Sequence, residues 1–199
     1  MGHRISAEQR RIDLVRAAVD VMSQEGFDRA TTRRVAEAAG ASQAAFHYAF
    51  RDKQELLVAV AEENIGRLGP LMNKAVDPER GLEEALRDAL AALWAQVLED
   101  DGYQLMQFEL VLHCRRTPGL EPLAVRIYDD ILAMMTDIVT RACAATDRNL
   151  ALPARTLARQ LTAQVEGVIL RYEITRDRAA AETDLDLAVR STLFLAGPP

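Results

Sequence analysis

The stretch TTRRVAEAAGASQAAFHYAFRDK, residues 31–53, decides the fold of this chain. Its pattern predicts two short helices, at about Thr32–Ala39 and about Ser42–Ala49, with Gly40 between them. Two short helices joined by a few residues around a glycine form a helix-turn-helix. The motif also needs a small side chain where its helices cross, and Ala36 provides one. We therefore predict a helix-turn-helix in this part of the chain.

Apolar residues in and before this motif can supply a local core. Phe46 is placed to lock the second helix of the motif. A second group, from the motif and from the helix before it, can complete that core: Val35, Phe50, Ile12 and Val15. An ordinary helical hairpin with a glycine turn would show the same pattern. The spacing alone therefore leaves both interpretations open.

The exposed positions of the motif carry side chains that suit a nucleic acid. Side chains at the start of the second helix can reach base edges in the major groove, and others can contact phosphates. Gln43 can pair with an adenine edge, Arg33 with guanine or phosphate, and Ala44 only with a thymine methyl group. A lysine at a helix N-terminus lies where an anion is already favoured. The candidate DNA-binding residues are Thr31, Thr32, Arg33, Ser42, Gln43, Ala44, His47, Tyr48 and Lys53.

From about Ile12 to Val60 the sequence resembles the DNA-binding region of the TetR family of transcriptional regulators. The matching features are Thr31-Thr32, Ala39-Gly40, Ser42, the aromatic cluster Phe46–Phe50, Lys53 and Leu56-Leu57. Two positions depart from the family pattern. His47 stands where the family usually has a tyrosine that reaches the DNA backbone, and Ala49 stands where it often has tyrosine or histidine. We therefore expect an altered contact with DNA at His47 and a missing one at Ala49.

The rest of the chain has helical periodicity almost throughout and predicts no strand. Ser6 followed by Gln9 predicts the start of the first helix. Gly69-Pro70 predicts a kink or an end in the fourth, and the last helix is expected from about Leu185. The fold class is all-α, a nine-helix TetR-like fold with a three-helix head and a C-terminal helical bundle. We divide it into a DNA-binding domain at residues 1–55 and an effector-binding and dimerisation domain at residues 56–199.

Composition and charge narrow the classes of protein. Of the 199 residues, 49% are hydrophobic and 27% are charged, which is typical of a folded globular protein. The net charge is -6, but residues 1–53 hold nine basic and seven acidic residues, a net of +2. Any contact with nucleic acid must therefore be local. The sequence predicts no membrane span, no export signal and a cytoplasmic protein with its two cysteines reduced.

Chemistry-bearing residues in the remainder are few. Glu109 and His113 lie four residues apart beside Cys114, which could be two metal ligands, part of a pocket, or an ordinary helical pair. Two ligands are too few for a metal site, so we predict no metal and no cofactor. The larger side chains could instead line a pocket for a small-molecule effector or form core. The candidate pocket residues are Trp94, Tyr103, Phe108, Glu109, His113, Tyr128, Met135 and Tyr172.

The last two helices are more apolar than a surface helix needs to be. A surface helix needs one apolar stripe, so extra breadth implies a second partner. We predict a homodimer through a four-helix interface that contains Val165, Ile169, Leu170, Leu185, Val189 and Leu193. A fully buried central helix in a monomer would give the same pattern.

The resemblance implies a regulator of transcription, most simply a repressor and not an enzyme. It would bind a palindromic operator in double-stranded DNA as a homodimer, and a small-molecule effector would release it. Two other classes stay open at this point. One is an all-α enzyme acting on a small molecule, and the other is a protein-interaction adaptor with a vestigial DNA-binding head.

Overall fold

The computed structural model of the protein describes residues 6–100 and 102–198. Over these residues the chain forms nine α-helices and no strand. They are α1 Ala7–Glu25, α2 Thr32–Ala38, α3 Gln43–Ala49, α4 Lys53–Ala75, α5 Leu82–Glu99, α6 Tyr103–Arg116, α7 Glu121–Ala145, α8 Ala154–Thr175 and α9 Arg178–Ala196. Short 3-10 turns at Phe27–Arg29 and Pro78–Arg80 precede α2 and α5. The predicted all-α fold is confirmed.

Residues 6–66 and 102–125 form one compact unit in which α1 packs on α2, α3 and α6. The predicted cap of α1 is present, since the Ser6 hydroxyl accepts a hydrogen bond from the Gln9 N–H at 3.0 Å. Ile12 is 38% exposed, so its predicted place in the core is wrong. Leu14 is fully buried instead. Residues two positions apart point to nearly opposite sides of a helix, so Leu14 faces the core and Ile12 does not.

Residues 67–100 and 126–198 form a second compact unit, in which α9 packs on α8 and on α5. The α5–α9 contact is partly polar. The Arg87 guanidinium donates to Asp186 at 2.8 Å, and the Trp94 indole N–H donates to Glu182 at 3.2 Å. The predicted domains, 1–55 and 56–199, remain a prediction. The compact units divide the chain differently, since α6 groups with the helix-turn-helix part.

Two helix boundaries differ from the sequence prediction. α4 does not end at Gly69-Pro70 but runs through Pro70 to Ala75. The missing proline N–H removes one backbone hydrogen bond, while burial of Met72 supports the following turn. α9 begins at Arg178 and not near Leu185, because the Asp177 carboxylate accepts from the Ala180 N–H at 3.0 Å. The sequence pattern missed this turn because its residues are mostly exposed.

Two further observations concern the described residues of both units. No helix in the described ranges combines the length and the apolar character that crossing a bilayer requires. Cys114 and Cys143 are both buried and carry no disulfide. Burial raises the pKa of each thiol, which disfavours the reactive thiolate.

Candidate nucleic-acid interface

The turn between α2 and α3 is built from local signals. Thr31 caps α2 by accepting from the Arg34 N–H at 3.1 Å, and Ser42 caps α3 by accepting from the Ala45 N–H at 3.1 Å. Gly40 adopts a φ of +60°, in the left-handed region that favours glycine. The Ala41 N–H then donates back to the Ala36 carbonyl at 2.8 Å, which closes the end of α2. These bonds fix the direction in which α3 leaves the turn.

The inner face of α3 anchors it to the rest of its unit. Phe46 and Phe50 are both buried, and their ring centroids lie 5.7 Å apart. Arg11 of α1 lies 4.2 Å from the centroid of the Phe50 ring and donates to the Ala49 carbonyl at 2.9 Å. Arg11 and the two buried phenylalanines therefore hold the last turn of α3 through both side-chain and backbone contacts. The opposite face of α3 is left exposed.

The outer face of α3 carries four of the predicted DNA-binding residues. Gln43, Ala44, His47 and Tyr48 are all exposed, and Tyr48 is 82% exposed. Residues at positions i, i+1, i+4 and i+5 lie on one side of a helix. The structure thus brings these four together on one exposed face. The exposed Tyr48 ring offers contact surface to a binding partner. With seven residues, α3 is short enough to enter a groove as a whole.

The predicted contacts on α2 and before it are placed around the same motif. Thr31 is exposed and Thr32 is half-buried. The Arg33 guanidinium donates to Glu37 at 2.9 Å, and both side chains are exposed. An exposed pair at this spacing stabilises a helix by only about 0.3–0.5 kcal/mol, so a phosphate can compete for Arg33. Arg34 is engaged differently, in an ion pair with Glu25.

Lys53, the predicted phosphate contact at the start of α4, is half-buried. Its ammonium nitrogen lies 5.1 Å from the centroid of the Phe27 ring. Burial lowers the pKa of Lys53, and the negative charge of Asp28 opposes that shift. The start of α4 is capped by Asp52, whose carboxylate accepts from the Glu55 N–H at 2.9 Å. Because Asp52 already caps this helix terminus, an anion would be attracted mainly by the ammonium group of Lys53.

The predicted effector residues fall into the two compact units. In the second unit Trp94 and Met135 are buried, and the Tyr172 ring lies 4.8 Å from Trp94 in an edge-on arrangement. In the first unit Tyr103 is buried and donates to the Asn64 side chain at 2.9 Å. The remaining candidates are half-buried or partly exposed: Phe108, Glu109, His113 and Tyr128. Over the described ranges no three His, Cys, Asp or Glu side chains are grouped to hold a metal ion.

Glu166, which is half-buried on α8, is not among the residues predicted from the sequence. Burial raises the pKa of this carboxyl group, and the charge of Glu166 adds to the effect of burial in raising the pKa of Tyr128. Burial is the cause of the shift in the Glu166 pKa, and no hydrogen bond from the described residues to the Glu166 carboxylate offsets it. The available signal was a lone acidic residue inside the apolar run LTAQVEGVIL, residues 161–170.

The predicted dimer residues lie in different environments. Leu170 is exposed and Leu193 is half-buried, whereas the other four are buried within the single chain: Val165, Ile169, Leu185 and Val189. Their contact with a second subunit remains a prediction. α8 and α9 expose apolar residues that the prediction did not include, namely Ile174, Leu187, Phe194 and Leu195.

Two family models match the chain. Residues 14–60 match the one described as bacterial regulatory proteins, tetR family, and residues 81–193 match the one described as tetracyclin repressor-like, C-terminal domain. A curated relative is the HTH-type nicotine-responsive transcriptional repressor HdnoR of Paenarthrobacter nicotinovorans. It is 31% identical to this chain, over 85% of this chain and 86% of that protein.

Solved structures share the fold. A TetR transcription regulator from Haloarcula marismortui has a TM-score of 0.75 at 18% identity, covering 95% of this chain and 97% of that one. The transcriptional regulator FadR from Bacillus subtilis, in complex with stearoyl-CoA, has a TM-score of 0.72 at 17% identity. The match covers 89% of this chain and 97% of that one. At these identities the likeness extends to the fold alone.

Proposed function

The chain belongs to the TetR family of transcriptional regulators, and on that premise we propose that it is a repressor released by a small-molecule effector. It binds a palindromic operator as a homodimer, in the cytoplasm. The observation that carries this proposal is the exposed outer face of α3, which presents Gln43, Ala44, His47 and Tyr48 on a helix fixed by buried phenylalanines.

The DNA contacts divide by the chemistry of each side chain. α3 enters the major groove, where Gln43 reads an adenine edge and Ala44 leaves room for a thymine methyl group. Thr31, Thr32, Arg33, Ser42, His47, Tyr48 and Lys53 contact the sugar-phosphate backbone or its neighbouring base edges. In a symmetric dimer the two α3 helices then read two half-sites of opposite orientation.

Replacing Gln43 and Lys53 separately tests this division. Gln43→Ala should lose about 1–3 kcal/mol of binding free energy at particular base pairs only. Lys53→Ala should weaken binding to all sequences alike and reduce the slope of log K against log salt by about 0.9 for each lost phosphate contact. The DNA next to the chain's own gene, mapped by footprinting, provides the operator, and single base changes in it provide the comparison. A Gln43→Ala protein that keeps the same ratio of affinities for operator and mutated operators would contradict base reading by Gln43.

The dimer interface is proposed on α8 and α9, which pack against each other. Leu170 and Ile174 lie four residues apart on α8, and Leu187 and Phe194 lie seven apart on α9, so each pair shares one exposed helix face. A second copy of the chain, related by a two-fold axis, covers these residues in a four-helix interface. The buried members of the predicted set then support the interface from behind.

The effector site is proposed in the second unit, next to Tyr128 and Glu166. Tyr128 is 43% exposed, although it lies on the same face of α7 as the buried Met135. The half-buried Glu166 carboxylate has lost part of its hydration without gaining a described donor. A cationic organic effector would supply that donor. The name of the nicotine-responsive relative supports an organic amine as the first class to test.

Glu166→Gln tests both the burial and the ligand role of this carboxylate. Because its pKa is raised in the folded chain, the folded state holds the proton at pH values where the unfolded chain has lost it. Wild-type stability therefore falls as pH rises through the folded-state pKa, and the variant escapes that loss. We expect Glu166→Gln to melt higher than wild type at pH 7. The two melting temperatures should converge below about pH 4.5.

The ligand role is read from thermal shifts with nicotine, benzylamine and the uncharged benzyl alcohol. The amines should stabilise wild type more than benzyl alcohol does, and Glu166→Gln should lose that preference. Trp94 is the single tryptophan and gives a second readout by fluorescence. Glu63→Gln, at an exposed position of α4, is the matched control. Equal amine shifts in wild type and Glu166→Gln would exclude Glu166 as the cation's partner.

A further inference from the structure

The ring of Phe27 contacts two side chains from distant parts of the chain. Phe27 is buried in the 3-10 turn after α1. The Lys53 ammonium lies 5.1 Å from its ring centroid, and the His113 ring of α6 lies 4.9 Å from it at an interplanar angle of 46°. All three residues belong to the same compact unit. A residue of α6 is thereby connected to the lysine at the start of α4 through a single aromatic ring.

Burial and the charge of Lys53 both favour a neutral imidazole at His113. Burial lowers the pKa of His113, the positive charge of Lys53 lowers it further, and Asp28 opposes both. The same Asp28 carboxylate opposes the effect of burial on Lys53. Lys53 is therefore the cation of the cluster, His113 is a neutral ring, and Asp28 is the neighbouring anion. A neutral imidazole can pack against Phe27 without repelling the ammonium.

We propose that His113 is a positioning residue for the phosphate contact of Lys53 and that it acts through the Phe27 ring. The proposal rests on the proposed function, in which Lys53 binds a DNA phosphate. A lysine side chain has four rotatable bonds, and ordering it costs binding free energy. A ring held in place by His113 orders the ammonium before DNA arrives. α6 thus acquires a route to the DNA contact that needs no contact of its own with DNA.

The position of His113 makes this route sensitive to α6. α6 packs on α1 and on the turn that contains Phe27. The His113 carbonyl accepts from the Thr117 hydroxyl at 2.8 Å, so the residue is also tied to the end of its helix. A displacement of α6 that withdraws the imidazole would leave Phe27 free to reorient, and Lys53 would lose its platform.

The first test uses NMR on the free protein, with no DNA present. A ring current from Phe27 should shift the ε-methylene protons of Lys53 upfield in wild type. His113→Ala should reduce that shift, and His113→Phe should restore it because it retains a ring against Phe27. Phe27→Leu should abolish the shift, and its melting curve shows whether that variant is folded. An unchanged Lys53 shift in His113→Ala would overturn the proposal. Because His113 is only half-buried, we expect this variant to fold.

The second test measures DNA affinity in a double-mutant cycle. A cation–aromatic contact at a partly exposed site is worth enough to change affinity about 2- to 5-fold. His113→Ala should therefore weaken binding by about that factor for each subunit, and His113→Phe should recover it. In a Lys53→Ala background His113→Ala should have no further effect. With Arg33→Ala, the matched control on α2, the two effects should add.

The two tests separate failure of the inference from failure of the proposed function. If Lys53→Ala binds DNA as wild type does, the phosphate contact is wrong, whatever the NMR shift shows. If Lys53→Ala weakens binding but His113→Ala has the same effect with and without Lys53, the phosphate contact stands and the positioning role of His113 falls.

Discussion

Gly102→Ala is expected to destabilise the chain by roughly 2–5 kcal/mol, the sum of an overpacking cost and a backbone cost. A Cβ added to Gly102 would lie 2.3 Å from the carbonyl oxygen of Ser23 and 3.3 Å from its carbonyl carbon. Both atoms belong to the backbone of α1, so no side-chain rotation relieves the overlap. Gly102 also has a φ of +84°, which a residue with a Cβ adopts at a cost.

The strain would reach the start of α6 directly. Gly102 is the residue before α6, and the Met106 N–H donates to its carbonyl at 2.9 Å. Relieving the overlap requires α6 to move away from α1, which disturbs the buried Tyr103 and its 2.9 Å hydrogen bond to Asn64. We therefore expect Gly102→Ala to lower DNA affinity as well as stability, since α1 also supports α3.

Gly119→Ala is the matched control for this prediction. Gly119 has a φ of +90°, but nothing lies within 4 Å of an added Cβ. It carries the backbone cost without the overlap, so we expect a loss of only about 1 kcal/mol. Urea unfolding of both variants measures the difference. Equal free energies of unfolding for the two variants would mean that the overlap with Ser23 adds nothing to the cost of Gly102→Ala.

The helix-turn-helix could be predicted because its determinants are close in sequence. Ser42 caps α3 from the adjacent position, Gly40 supplies the left-handed turn, and Phe46 fills the core one turn later. Each of these signals is a property of a few neighbouring residues. The start of α9 was missed because it depends on Asp177 followed by an exposed turn, where hydrophobic periodicity is weak.

Contacts between distant parts of the chain could not be predicted in the same way. The spacing of Glu109 and His113 predicts a pair on one helix, yet His113 packs against Phe27, which is remote in sequence. The approach of Gly102 to Ser23 is likewise a consequence of how α6 packs on α1. Helix periodicity fixes which face is apolar, but it does not determine which helix covers that face.

Phe194→Glu is expected to weaken dimerisation by at least about 3 kcal/mol, which is more than 100-fold in the dissociation constant. Phe194 is 86% exposed in the single chain, and Leu187 lies on the same face of α9. An aromatic side chain this exposed gains little from folding alone. In the proposed interface a glutamate at this position would bury a carboxylate without a partner, and two-fold symmetry would place a second one there.

Two other substitutions separate dissociation from unfolding. Leu112→Glu changes an exposed apolar residue on α6, outside the proposed interface, and should leave the dimer unchanged. Val189→Glu changes a buried residue within the chain, so it should lower the melting temperature whether or not a dimer forms. Phe194→Glu should keep the wild-type circular dichroism spectrum, because Phe194 is exposed in the single chain.

Light scattering and operator binding provide the measurements for Phe194→Glu. Wild type at tens of micromolar should scatter as a dimer, and Phe194→Glu should scatter as a monomer. Operator affinity should fall steeply for this variant, because a single α3 reads one half-site and the second must bind independently. Half-site affinity should be unchanged, since α3 itself is intact. A monomeric wild type would contradict the proposed homodimer. A Phe194→Glu protein that remains dimeric would place the assembly surface elsewhere than on the exposed faces of α8 and α9.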